Sequence, residues 1–332
     1  MVMPRVFGTL ADGRQVHAIQ LQSDAGLRAE ILTYGGILRT LEVPCQGGHR
    51  NVILSLPDLA AYEADPHHLG TIVGRYGNRI GGARFQLDGV EYQLDRNEGD
   101  NQLHGGTQGF GQSLWEIAEV GEDFLTLLKR SPDGEQGYPG NLEVRAEYRL
   151  RGLTLELQFH ASTDATTPLN LTHHPYFNLS GNPRLPITSH RLQIPADRYL
   201  PVGEGMLPTG EVRAVQGTAF DLRQWTTAEL ARQPDEPQLQ AARGYDHCLV
   251  LAAEAEFGAQ LQSPDGQVSM QLHSSMPALQ FYEGQSLPPE YGHALCLEPQ
   301  FYPDAPNQPH FPSTLLHPGE VRRQKIEYRF SA

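Results

Sequence analysis

The sequence predicts an all-β protein, best drawn from its pattern as one large antiparallel β-sandwich. Residues alternate between apolar and polar in run after run, as half-buried strands do. Asp-Gly pairs punctuate these runs at Asp12-Gly13, Asp88-Gly89, Asp133-Gly134 and Asp265-Gly266. The glycine supplies the positive φ that tight hairpin turns need. No regular exchange of helix and strand patterns occurs, which argues against a parallel, doubly wound sheet.

The clearest strand is Leu142–Leu150: Leu142, Val144, Ala146, Tyr148 and Leu150 share one face, and Glu143, Arg145, Glu147 and Arg149 share the other. The alternation resumes after Arg151-Gly152 over Leu153–Phe159, which predicts a hairpin. Helix is confined to short pieces. Asp58–Glu63 can form a turn or two, and Thr226–Arg232 opens with a capping box, Thr226 with Glu229. No repeat, low-complexity tract or linker divides the chain, so residues 1–332 are expected to form a single domain.

Charged residues make up 19% of the chain and the hydrophobic set 39%, enough apolar content for a packed core. A net charge of −14 argues against nucleic acid and anionic membranes as partners, since both require a basic stripe. The N-terminus lacks the apolar core of a secretory signal, and no run is long enough to span a bilayer. Cys45, Cys248 and Cys296 are widely spaced and odd in number, so they read as reduced, buried thiols of a cytoplasmic protein.

Four polar clusters interrupt the strand pattern. Gly74–Gly82 is glycine-rich but lacks the lysine and hydroxyl of a phosphate loop and is followed by a strand pattern. Its Asn78 and Arg79 offer donors and an acceptor for sugar hydroxyls; alternatively the arginine pairs with a surface carboxylate. In the second cluster His104 precedes Gly105-Gly106, on a loop whose backbone can approach a ligand; a loop histidine can equally be merely exposed. The third holds His173 and His174, which project oppositely if the segment is extended, so one can enter a cleft while the other packs or hydrogen-bonds behind it. No third ligand stands at a usual spacing, which makes zinc a poor reading of this pair; His67-His68 reads as a solvated loop pair. The fourth cluster begins at Glu298, flanked by Leu297 and Pro299, with Asp246 as a possible partner. Glu298 is either a working carboxylate with a shifted pKa or the partner of an arginine inside the sandwich. No nucleophile elbow and no activated cysteine is evident.

At these clusters the chain resembles the aldose 1-epimerase (galactose mutarotase) family. The resemblance runs in order through Gly74–Ile80, Asp88-Gly89, Leu103–Gly106, Trp115, Ser131–Gly140 and Leu171–Leu179. It continues through Leu207–Gly210, Tyr245–His247, Gln280–Tyr282, Leu297-Glu298 and Pro303–Gln308. It implies a large twisted antiparallel β-sandwich of the galactose mutarotase-like supersandwich type, with an open sugar cleft and neither metal nor organic cofactor. It further implies His174 as general acid and Glu298 as general base, with Asn78, Arg79, His104, Tyr176, Asp246 and Gln280 around the sugar. The expected partner is a small aldose such as glucose or galactose, with no nucleic acid and no membrane, and the expected state is a monomer or homodimer. The chain departs from the family where His173 replaces a common asparagine and Gly77 a frequent alanine.

The implied chemistry is the interconversion of sugar anomers. Glu298 removes the anomeric hydroxyl proton while protonated His174 gives one to the ring oxygen; the ring opens, the C1–C2 bond turns, and closure reverses the roles. Three rival readings stand beside it: an epimerase for phosphorylated hexoses, a non-catalytic sugar-binding module, and a glycosidase using Asp246 and Glu298 as its carboxylate pair.

Overall fold

The strand pattern is realised almost entirely as antiparallel sheet. The computed structural model describes residues 3–227, 229, 233 and 235–332. A nine-stranded sheet is built on the long neighbours Leu142–Arg151, Thr154–Thr163 and Arg322–Ser331. A six-stranded sheet contains Asp246–Leu251, Ala278–Tyr282 and Leu295–Gln300. A five-stranded sheet holds the N-terminal segments from Arg5–Thr9 to Gly48–Asn51.

Alternation dictates how these sheets meet. The buried face of Leu142–Arg151 is the predicted one, with Val144, Ala146 and Tyr148 at 0% exposure. Leu157, Phe159, Ile326 and Tyr328 extend it across the nine-stranded sheet. Leu249, Leu279, Phe281 and Leu297 of the six-stranded sheet join the same hydrophobic core, as do Ile19, Ile31 and Leu41 of the N-terminal sheet. Burying each such side chain stabilises the fold by about 1.5–3 kcal/mol before the entropy of ordering is subtracted.

The turns follow the sequence closely. Arg151 pairs with Thr154 across Gly152, whose φ is 54°. Asp88 and Gly89 both take positive φ between the paired strands Arg84–Leu87 and Val90–Gln93. Asp58 caps the helix Leu59–Glu63 by accepting a 2.9 Å bond from the Ala61 amide. The helix expected over Thr226–Arg232 lies largely outside the described residues; of those described, Thr226-Thr227 pair with Arg191-Leu192 as strand and Glu229 is helical. A second short helix, Pro237–Ala242, was not expected; Glu236 caps it and proline stands in its first turn. Among the described residues, no helix is long and apolar enough to cross a membrane.

Three remote segments are laced together by buried polar side chains. Asn170, at 0% exposure, donates to the Gly77 carbonyl at 3.1 Å and accepts from the Phe301 amide at 2.8 Å. The Tyr76 hydroxyl donates to the Tyr302 carbonyl at 3.0 Å. Arg75 is buried and donates to Ser131 Oγ and to the carbonyls of Ser131, Pro132, Pro139 and Gly140. The Ser131–Gly140 motif therefore serves as a receptacle for one guanidinium, which fixes the segment carrying Asn78 and Arg79.

Asn170→Ala would strand the Gly77 carbonyl and the Phe301 amide away from water. At roughly 1–3 kcal/mol per unpaired buried group, stability falls by about 2–6 kcal/mol. Urea unfolding monitored by fluorescence reads this out, and an unchanged midpoint would show the lacing to be dispensable.

Candidate active site

The six-stranded sheet has two chemically different faces. Gln280 lies directly opposite Glu298 on one side and Cys248 on the other; Tyr282 lies opposite Asp246 and Cys296. Residues two apart share a face, so Asp246, Gln280, Glu298, Cys296 and Gln300 all project away from the Leu279–Phe281–Leu297 core. Gln300 donates to Gln280 Oε1 at 3.4 Å, and Gln280 donates to Asp246 Oδ1 at 2.6 Å. These bonds aim a fixed carboxylate along the sheet surface. Tyr176 enters the same face because it pairs with Cys296.

The adjacent histidines separate as the extended backbone requires. Thr172-His173 pairs with Ile72-Val73. His173, at 0% exposure, lies between Tyr148 and Tyr328, its ring nitrogens 3.2 and 3.1 Å from their hydroxyls. Tyr148 already donates to the Gly36 carbonyl, so its oxygen accepts from His173 Nε2–H, and Tyr328 donates to Nδ1. His174 turns to the other side. Its Nε2 lies 3.6 Å from Glu298 Oε2, and the Tyr176 ring stacks on it at 5.0 Å. Cys296 Sγ lies 3.5 Å from His174 Nδ1, so this thiol contacts the site and is more than an apolar filler.

A third wall comes from the loops around Asn78 and His104, both buried and both at positive φ. The Asn78 amide donates to His104 Nδ1 at 3.1 Å, and the His104 amide returns a bond to the Asn78 carbonyl at 3.1 Å. The neutral His104 ring must then carry its proton on Nε2. Its ring centroid is 5.3 Å from that of His174. The following glycines have a different purpose from the one expected: a methyl on Gly105 would stand 2.0 Å from the Gly74 carbonyl oxygen. The close approach is chain to chain, and it seats His104. Arg79 makes a two-point ion pair with Glu98, both contacts at 2.7 Å. The surface-carboxylate alternative is thus realised, yet the same guanidinium also acts electrostatically on Asp246 and Glu298.

His68 corrects the sequence reading. It is not part of a solvated pair: its ring lies 4.8 Å from that of His104 and 6.3 Å from that of His174. Gln112 Nε2 stands 3.2 Å from its Nδ1.

Comparison with known proteins agrees with this geometry. The aldose 1-epimerase family pattern matches residues 17–329. The chain belongs to the aldose 1-epimerase family. It is 40% identical to the galactose mutarotase of Bos taurus over 341 residues, covering 98% of this chain and 97% of that protein. It is 34% identical to the aldose 1-epimerase of Escherichia coli K12, covering 97% of each. The crystal structure of galactose 1-epimerase from Lactobacillus acidophilus superposes with a TM-score of 0.88 at 29% identity, covering 100% of this chain and 99% of that one. The expected supersandwich is therefore the fold, and the chain is an isomerase.

In this epimerase the side chains of the site are largely buried, and burial governs their protons. Burial pushes the Glu298 carboxyl well above the usual carboxylate range; Asp246 adds to the rise and Arg79 opposes it. Burial takes His174 down to about 3, with a further contribution from His68. Burial also holds His104 well below its ordinary value. A protonated His174 beside an ionised Glu298 was the expectation, whereas desolvation drives each toward its neutral form. Glu98, His68, Gln112 and Gln300 were not singled out for the site, because no local pattern connects them to residues that only folding brings near.

His104, His174 and Glu298 present potential ligand atoms within 4.8 Å of one another, a set the sequence spacing did not reveal. His104 fits a metal poorly. One ring nitrogen is occupied by the Asn78 amide and the other carries the proton, so ligation would sacrifice that bond or form an imidazolate. Prolonged dialysis against a chelator should leave sugar mutarotation, followed by polarimetry, unchanged; activity that disappears and returns only with added zinc would refute this.

Proposed function

We propose that His174 and Glu298 are the acid–base pair of this aldose 1-epimerase, and that they open and reclose the ring of free hexoses such as glucose and galactose. The observation that carries this reading is the 3.6 Å separation of His174 Nε2 and Glu298 Oε2. The ring oxygen and anomeric hydroxyl are bonded to the same carbon, so an acid serving one and a base serving the other must themselves be near neighbours. The gap is too long for a direct hydrogen bond and leaves both atoms free to engage sugar oxygens. Glu298 Oε2 accepts no hydrogen bond among the described residues, although it is almost wholly buried.

In ring opening, Glu298 takes the proton from the anomeric hydroxyl as His174 delivers one to the ring oxygen. The pair begins with its single proton on His174 and ends with it on Glu298. Reclosure on the opposite carbonyl face runs the transfer backwards. The neutral end state is the one that burial favours, and the cationic Arg79 counters this by stabilising the ionised carboxylate. His104 Nε2–H is a fixed donor for a sugar oxygen, and Asp246, braced by Gln280, is an acceptor for a hydroxyl. Asn78 and Tyr176 complete the walls.

An unphosphorylated substrate is favoured over a hexose phosphate. Arg79 is already paired with Glu98, while the neighbouring histidines are held neutral by burial. Such a site offers hydroxyl partners and little net positive charge. The core that extends from Ile19 to Phe330 supports reading the chain as one catalytic domain. Three cysteines without a disulfide support a cytoplasmic setting.

Glu298→Gln should keep the fold and sugar binding but reduce kcat by about 10²–10⁴-fold, since an amide cannot take the proton. Polarimetry of freshly dissolved α-D-glucose and α-D-galactose measures this. Near-normal turnover by a thermally destabilised variant would make Glu298 a structural carboxylate instead.

The pH profile tests the proton count. The one-proton pair persists from the lowered His174 value, about 3, up to the raised Glu298 value, so turnover should show no acidic limb at the ordinary imidazole value of 6.5. A limb at 6.5 would indicate a solvated His174 titrating independently of Glu298.

A further inference from the structure

Among the described residues, neither nitrogen of His174 has a close side-chain partner. The Cys296 thiol lies 3.5 Å from Nδ1, and Glu298 stands 3.6 Å from Nε2. Hydrogen bonding therefore does little to fix the plane of the ring that must transfer a proton. Tyr176 lies near-parallel to it at 24° and 5.0 Å. His68 is the other near-parallel ring, at 30° and 6.3 Å, and it also presses edge-on against His104 at 4.8 Å and 70°. It is thus in ring contact with both histidines of the site.

The loop that holds His68 is firmly set. Asp65 accepts from the amides of His67 at 3.0 Å and Leu69 at 2.8 Å. Thr71 Oγ1 donates to the His68 carbonyl at 3.1 Å, and Tyr176 donates to the His67 carbonyl at 3.0 Å. The Gly70 amide donates to the His174 carbonyl at 2.9 Å, and the His174 amide donates to Thr71 at 3.0 Å. His68 itself takes a φ of 58°, a conformation that non-glycine residues adopt at a cost of order 1–3 kcal/mol. Gln112, from the turn Phe110–Gln112, contacts Nδ1. Backbone and side chain are thus both committed to placing this ring.

We propose that His68 is a positioning residue of the catalytic centre: a third imidazole whose flat face and edge fix the rings of His174 and His104 relative to Glu298. The proposal rests on the acid–base reading above. His68 transfers no proton in the reaction; it limits the rotation of the ring that does. A loosened acid is misaligned in the transition state more than in the bound sugar, so the effect falls on kcat rather than KM.

The test is steady-state mutarotation kinetics by His68→Ala and His68→Phe, each normalised to folded protein by circular dichroism. Ala removes the ring and should lower kcat about tenfold, with KM changed less than about twofold. Phe restores a flat ring without the nitrogens and should recover kcat to within about threefold of the parent. Should the Ala variant fail to fold, His68→Leu, which fills space without a plane, takes its place. Parental kcat in the Ala or Leu variant overturns the proposal, as does a rise in KM alone, which would make His68 a sugar contact. A Phe variant no better than Ala overturns it too, because the nitrogens would then be what matters. An inactive parent would instead defeat the acid–base reading on which the proposal stands.

Discussion

The site depends on the register of three antiparallel strands. With Gln280 opposite Glu298 and Cys248, one sheet face receives Asp246, Gln280, Glu298 and Gln300, while the alternate residues Leu249, Leu279, Phe281 and Leu297 enter the core. A slip of one residue would exchange the faces, sending carboxylates into the core and leucines into the cleft. The cost of such a slip specifies the site as strongly as any hydrogen bond within it. The same geometry buries Glu298, and that burial sets its proton affinity.

Much of the family-like sequence around the site supports other protein atoms. Ser131–Gly140 captures Arg75, and Gly105 leaves room for the Gly74 carbonyl. Asp304 accepts from the Gly81 amide at 2.9 Å, and its own amide donates to the Arg79 carbonyl at 2.8 Å. Asn170 joins the Gly77 loop to the strand end beyond Glu298. These contacts place Asn78, Arg79 and His104 against a sheet that lies elsewhere in the sequence. The positive φ values of Asn78 and His104 are sustained by this surrounding lacing.

Protonation in the site follows from shared desolvation rather than from one dominant ion pair. His68, His104 and His174 are all driven toward neutrality, and Glu298 is driven the same way. Arg79 is the counterweight, itself restrained by Glu98. A cleft of little net charge, lined by amide, imidazole and carboxyl groups, suits an uncharged polyol.

The sequence by itself determined the strands, the Asp-Gly turns, the Asp58-capped helix and the opposite projection of His173 and His174, because each rests on local periodicity or backbone preference. The motif order also marked the polar residues that line the site. Only the tertiary structure decided their partners. Glu98 on Arg79, Cys296 on His174 and His68 against His104 are contacts between residues remote in sequence, and each residue alone resembles an ordinary surface acid, a buried thiol or an exposed loop histidine. Side-chain chemistry is written locally, but the distance between two groups and the water excluded from between them are set by sheet register and loop closure. Those quantities decide which carboxylate keeps its proton and which imidazole can use it.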